Sequence, residues 1–191
     1  MKIIIAGAYA IGTHLAKLLS RNDQDIVLID EDEERLNNIS NDYDLMTIHS
    51  SPSSIQTLKN AGVQHANLFI GVTPDENMNM NSCILAKALG AKRTVAKVNN
   101  YEFIDEKLKE FFTNLGIDSL IYPENLAARD ITNGLKMSWV RQRWDVHNGA
   151  LIMLGIKLRE TCEILNEPLK DLCKPESPYH IVAIKRGEDT I

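Results

Sequence analysis

Residues 2–30 read KIIIAGAYAIGTHLAKLLSRNDQDIVLID. Lys2 to Ala6 is a short β-rich run, and the turn Gly7-Ala8-Tyr9-Ala10-Ile11-Gly12 follows it at once. A helical pattern comes next, with Ile11, Leu15, Leu18 and Leu19 predicted to share one apolar face. Ile26 to Ile29 is a second β-rich run, ending on Asp30. A buried strand, a glycine turn, a helix and a second strand form the unit from which parallel sheets are built, because parallel neighbours need a crossover between them.

The same turn is where chemistry is expected. The first N–H groups of a helix lack intrahelical acceptors and, together with the helix dipole, form a seat for a phosphate. Gly7 and Gly12 occupy the first and third positions of a G-x-G-x-x-G loop, with Tyr9 at the middle one. Asp30, at the end of the second strand, suits the hydroxyls of an adenosine ribose and opposes a 2′-phosphate, which favours NAD over NADP. The same carboxylate could serve as an N-cap for the next helix. The middle glycine ordinarily lets phosphates approach bare backbone, so the phenol of Tyr9 must turn aside, stack on the ligand, cover the cleft or shift the preference toward a mononucleotide.

The pattern continues to about residue 122. Strands are expected at Leu45 to Ile48, Leu68 to Val72, Thr94 to Val98 and Ser119 to Ile121. Helices are expected at Glu31 to Ser40, from Pro52 to Gly62, from Pro74 to Gly90 and from Tyr101 to Leu115. The fold class is α/β, a doubly wound parallel sheet over residues 1–122. Glu124 to Val140 reads as a connector helix and Arg141-Gln142-Arg143-Trp144 as a polar break, giving a linker over 123–144. Residues 145–191 form a small α+β lobe with strands at Leu151 to Leu158 and His180 to Lys185, a helix at Ile164 to Leu172, and a hairpin turn at Arg186-Gly187-Glu188-Asp189. Isolated folding usually fails below about 40 residues, so this lobe is expected to lean on a partner or to be truncated.

Composition removes several function classes. The 191 residues carry 21 Lys and Arg against 26 Asp and Glu, a net charge of −5, which argues against nucleic acid as a partner. The longest uncharged apolar stretch, Ile3 to Gly12, falls well short of the about 20 residues of a membrane span, and the apolar run before Ala8-Tyr9-Ala10 is too short for a signal peptide. A mature, cytoplasmic chain is expected. Cys83, Cys162 and Cys173 show no C-x-x-C spacing and the five histidines no H-E-x-x-H, so no metal site is indicated. No G-x-S-x-G or S-x-x-K motif is present, and the small second lobe offers little room for a substrate domain. The chain reads as a binder rather than an enzyme, with a small NAD-dependent oxidoreductase and a ligand-free docking scaffold as alternatives.

Five stretches together resemble the TrkA family, the KTN or RCK regulatory subunits of bacterial Trk/Ktr potassium uptake. They are KIIIAGAYAIGTHLAKLL (2–19), VLID (27–30), GVTPDENMNMNSCILAKALGAKRTVAKVNN (71–100), IYPENLAARDI (121–131) and YHIVAIKRGEDTI (179–191). The resemblance implies a Rossmann-like lobe that binds NAD(H), or alternatively ATP or ADP, followed by a smaller C-terminal lobe. It implies homodimers or higher rings on the cytoplasmic face of a membrane potassium-translocating subunit (TrkH/KtrB-like), which they gate by conformational change. Carried onto this sequence, Gly7, Ala8, Tyr9, Ala10, Ile11 and Gly12 are the phosphate loop and Asp30 the ribose acceptor. Thr73 faces that loop across the cleft, and Lys97 stands at a phosphate or interdomain position. The sequence departs from the family at three places. Tyr9 replaces the second glycine, His49-Ser50-Ser51-Pro52 replaces a Gly-Asp pair, and Lys97 replaces an arginine, losing its bidentate guanidinium.

Overall fold

The structure is a computed structural model that describes residues 1–21, 24–40, 43–136, 139–147, 149–174 and 176–190. It divides into two compact units, Met1–Asp130 and Ile131–Ile191.

In the first unit six strands, β1 (Lys2–Ala6), β2 (Asp25–Asp30), β3 (Met46–His49), β4 (Leu68–Gly71), β5 (Thr94–Lys97) and β6 (Ser119–Ile121), form one sheet. The order is β3-β2-β1-β4-β5-β6 and every pairing is parallel. The chain winds outward from β1 in one direction, then crosses back to β4 and winds outward in the other. A crevice opens beyond the strand ends where β1 and β4 meet, which is where ligands bind in such sheets.

The apolar run of β1 explains why it is central. Ile3 and Ile5 face one side, while Ile4 and Ala6 face the other. Its neighbour divides the same way, Ile26 and Leu28 against Val27 and Ile29, so the two-residue period fills both layers. Helices α1 (Ala10–Ser20) and α2 (Glu33–Ser40) cover one face through Ala16, Leu36 and Ile39. Helices α3 (Ile55–Asn60), α4 (Glu76–Ala88) and α5 (Glu106–Asn114) supply Leu58, Cys83, Ala86 and Phe112 to the other. Burial pushes the Cys83 thiol up to about 12, the state of an inert core residue.

Several boundaries differ from those the sequence suggests. In α1 the inward residues are Gly12 and Ala16, with Leu15 and Leu19 partly buried against them, while Ile11 and Leu18 are exposed. The two glycine and alanine positions let the helix sit close to β1, which turns the larger side chains outward. Pro52 precedes α3 rather than opening it, since Ser54 is the N-cap and accepts from the Thr57 amide. The Tyr101 to Leu115 segment splits into a 3₁₀ turn, Tyr101–Ile104, and α5, because Asp105 caps the second piece. On α5 only Phe112 is buried; Leu108, Phe111 and Leu115 face outward.

One polar network ties β5 to the α5–β6 turn. The Lys87 ammonium donates to both oxygens of Asp118, at 2.9 and 2.7 Å, and the Thr94 amide donates to the same carboxylate at 2.8 Å. Partial burial raises the Asp118 pKa, but Lys87 and the Thr94 amide outweigh it and hold the carboxyl below its ordinary 3.8. A lowered folded-state pKa adds stability that is complete above 3.8 and disappears as pH falls through the lowered value. Asp118→Asn should therefore cost roughly 1 kcal/mol at pH 7, read from urea unfolding. The gap from the parent should close below pH 3.8; an equal gap at pH 7 and pH 2 would refute the assignment.

In the second unit, β7 (Val140–Val146) and β8 (Leu151–Ile156) form an antiparallel pair with an irregular step at Val140/Gln142. The segment 141–144, expected as a polar break, is thus strand. The α6 helix (Pro123–Lys136), which begins in the first unit, is shorter than the expected Glu124 to Val140; Met137 and Ser138, inside that expectation, lie outside the described residues. A four-residue helix, α7 (Leu169–Leu172), replaces the expected Ile164 to Leu172. His180 to Ile184 carries no strand, and a short hairpin, β9 (Lys185–Arg186) with β10 (Asp189–Thr190), closes around Gly187 at φ +62°. The last residue of the YHIVAIKRGEDTI stretch, Ile191, also lies outside the described residues.

Candidate functional site

The turn from β1 to α1 is built on two glycines that admit no side chain. Gly7 has φ +111°, and its amide donates to Ile29 O at 2.8 Å, which stitches the turn to the end of β2. A Cβ on Gly7 would lie 2.8 Å from the Thr73 amide nitrogen, and one on Gly12 would lie 1.8 Å from Gly7 O. The first turn of α1 is therefore drawn up under the β1 end, with the strand-4 loop directly opposite. Tyr9 is the N-cap residue in extended conformation, without a side-chain cap hydrogen bond. By helix geometry the amides of Ala10, Ile11 and Gly12 have no intrahelical acceptor and open toward the crevice. Thr13 closes the first turn, its amide donating to Tyr9 O at 2.8 Å and its hydroxyl to Ala8 O at 2.9 Å.

Asp30 is buried at the end of β2 and holds this turn. One oxygen, Oδ2, accepts from the Ala8 amide at 2.6 Å. The other, Oδ1, accepts from the Asp32 amide at 2.9 Å and from Arg35 Nη1 at 3.1 Å. Arg35 also pairs through Nη2 with Asp32 Oδ2 at 3.1 Å, and its guanidinium lies over the Tyr9 ring, 3.8 Å from the centroid. Desolvation would lower the Arg35 pKa, but Asp32, Tyr9 and Asp30 outweigh it and raise the pKa, so the cation is fixed. An open cavity of about 440 Å³ adjoins this cluster, lined by Ala8, Tyr9, Ala10, Thr13, His14, Lys17 and Arg35. The segment after β3 is tied alongside, since the Ser50 amide donates to Asp30 O and His49 Nε2 hydrogen-bonds with Glu31 O, each at 2.9 Å.

Across the crevice, Thr73 is held by Asn79, a buried polar residue of α4. Asn79 Oδ1 accepts from the Thr73 amide at 2.8 Å and from its hydroxyl at 2.7 Å, while Asn79 Nδ2 donates to Thr73 O at 3.0 Å and to Lys97 O at 2.9 Å. One amide side chain thereby fixes the loops after both β4 and β5. Glu76, in the first turn of α4, accepts from the Asn99 and Asn100 amides at 2.7 and 2.9 Å. The Lys97 ammonium donates to Asn99 Oδ1 at 2.6 Å.

Of the residues singled out in the sequence, Gly7, Ala8, Tyr9, Ala10, Gly12, Asp30 and Thr73 gather at the strand ends of β1, β2 and β4. Ile11 turns outward on α1, and Lys97 is linked to the group through its carbonyl, bound by Asn79, and through its ammonium, which donates to Asn99. Two organising residues carry no signal in the sequence. Asn79 sits in the polar run NMNMNS, where nothing distinguishes a buried asparagine from an exposed one. Arg35 follows the acidic run Glu31-Asp32-Glu33-Glu34, which reads as a solvated helix start.

Residues 3–123 match the TrkA-N domain family. The Trk system potassium uptake protein TrkA of Haemophilus influenzae is 40% identical over 134 residues, 69% of this chain and 29% of that protein. The TrkA homolog of Pyrococcus horikoshii is 30% identical over 196 residues, covering 100% of this chain and 84% of that protein. The chain thus spans less than a third of the first relative and most of the second. Among solved structures, the RCK domain of GsuK is similar at 25% identity and a TM-score of 0.55, over 72% of this chain and 28% of that one. The GsuK channel bound to NAD gives 17% and 0.57, over 68% of this chain and 23% of that one. The Kef C-terminal domain of Shewanella denitrificans, in an AMP-bound form, gives 18% and 0.55, over 72% and 82%. Among the described residues, no helix is long and apolar enough to cross a membrane.

Proposed function

The chain belongs to the TrkA-N domain family, and from that premise we propose that it is a nucleotide-binding regulatory subunit of a potassium uptake system. The observation that carries this reading is the β1–α1 turn. Gly7 and Gly12 bring unpaired helix amides to the crevice mouth, Thr73 closes its far side, and the buried Asp30 carboxylate stands at the adenosine end. The diphosphate rests on the amides of Ala10, Ile11 and Gly12, and the ribose lies toward Asp30. Lys97, at the end of β5 with its carbonyl bound by Asn79, takes the phosphate or a neighbouring domain.

NAD(H) is the expected ligand, with ATP or ADP as the alternative; the similar structures carry NAD in one case and AMP in another. Relatives are named for potassium uptake. The chain acts at the cytoplasmic face as a homodimer or higher ring docked on a potassium-translocating membrane subunit (TrkH/KtrB-like). Regulation follows by population shift. A nucleotide that binds one arrangement of the ring 100-fold more tightly than another biases the two by about 2.7 kcal/mol, within the range of ordinary allosteric coupling. No proton donor or nucleophile is needed for this.

The test is thermal unfolding of the purified chain with NAD, NADH, ATP and ADP. A ligand at about 100 times its Kd adds about 2.7 kcal/mol, so the midpoint should rise by about 5–10 °C with at least one of them. No rise with any of the four would overturn the reading. That outcome would favour a docking scaffold without ligand, a role suggested by the Tyr9 and Arg35 side chains stacked beside Asp30.

A further inference from the structure

The Asp30 carboxylate, expected to face a ribose, already has its partners. A carboxylate offers about four acceptor positions. At Asp30 one is taken by the Ala8 amide and two by the Asp32 amide and Arg35 Nη1. A ribose that donates two hydroxyls needs more than what is left. The Ala8 and Asp32 amides belong to the turn and to the start of α2, so neither can withdraw without disturbing the fold. Arg35 can. Its side chain is 35% exposed against 5% for Asp30, and it keeps a second ion pair with Asp32 when it lets go of the first. The ring of Tyr9 lies against the guanidinium, so the side chain that pairs with the carboxylate is itself backed by the phenol.

We propose that Arg35, stacked on Tyr9, is a latch that competes with the ribose diol of an adenine nucleotide for Asp30 and thereby sets the affinity of the site. The proposal rests on the nucleotide reading above. In the closed form the guanidinium bridges Asp30 and Asp32. In the open form it swings to Asp32 alone, Tyr9 loses its cover, and Asp30 accepts from the ribose. Arg35 is thus an affinity-setting residue whose removal helps the ligand. Tyr9, at the position where phosphates ordinarily pass over glycine, is parked by the latch rather than by the fold.

The experiment is calorimetric titration of ADP, and separately of NAD, into the full chain and into Arg35→Gln, Arg35→Lys and Asp32→Asn. Arg35→Gln should tighten binding about 3- to 10-fold, the order of one partly exposed ion pair plus one cation–π contact. Arg35→Lys, which keeps the charge and loses the flat fork, should tighten it less. Asp32→Asn, which keeps the oxygen that accepts from the Arg35 amide, removes an ion pair present in both the closed and the open form and should change binding less than about 2-fold. Plain charge effects differ, because losing the cation at Arg35 would weaken binding of an anionic ligand and losing the carboxylate at Asp32 would favour it. If the parent binds and Arg35→Gln binds equally or more weakly, the latch is wrong while the nucleotide reading stands. If neither parent nor Arg35→Gln binds either nucleotide, both fall.

Discussion

Gly12→Ala is expected to cost about 3 kcal/mol of stability, at the upper end of what overpacking usually inflicts. The added Cβ would meet Gly7 O at 1.8 Å, and the atom it meets cannot yield. Gly7 is pinned by its amide to Ile29 O and pressed against the Thr73 backbone, so relief requires α1 to move away from β1. That movement would unseat Ala16, Leu15 and Leu19 from their layer. Urea unfolding followed by far-UV circular dichroism should show a lower midpoint with an unchanged slope. Gly134→Ala makes the contrast, since among the described residues a Cβ there would meet nothing within 4 Å beyond its own helix turn, and the change should be neutral or stabilising by up to about 1 kcal/mol. A Gly12→Ala midpoint equal to the parent's would mean that the β1–α1 turn is not packed as described.

The second large effect is expected at Asn79. Replacing it with leucine removes four hydrogen bonds and leaves the Thr73 amide and carbonyl and the Lys97 carbonyl facing an apolar side chain. Unpaired buried groups cost about 1–3 kcal/mol each, so a total loss of about 3–5 kcal/mol follows. Thr73→Val, which removes only the hydroxyl, should cost about 1 kcal/mol. The gap between the two variants measures the role of Asn79 in holding the two loops. Equal effects would show that the network matters only through the Thr73 hydroxyl.

The sheet was legible in the sequence because its strands are short, apolar and separated by helical periods. The run Lys2 to Ala6 is short, rich in β-branched isoleucine and stopped by Gly7, which reads as a buried strand. The glycine turn and Asp30 were legible for the same reason, since their places follow from the strand ends. Helix faces were harder. In α1 the large residues Ile11 and Leu18 point outward because the close approach at Gly12 admits only small side chains there. The strand β7 does not read as one, because Arg141, Gln142 and Arg143 look like a solvated break, while its pairing to β8 is set by tertiary contact. Asn79 and Arg35 were invisible for a related reason. Their importance lies in the groups they touch, Thr73 and Lys97 for Asn79 and Asp30, Asp32 and Tyr9 for Arg35, and no hydrophobic period records it.

Amide-resolved NMR during a titration with NAD locates the nucleotide seat residue by residue. The largest shift changes should fall on Gly7 to Gly12, on Asp30 to Asp32 and on Thr73, and they should saturate together. Saturating changes confined to other parts of the chain, or none at all with NAD or ADP, would contradict a nucleotide seat at the amino end of α1.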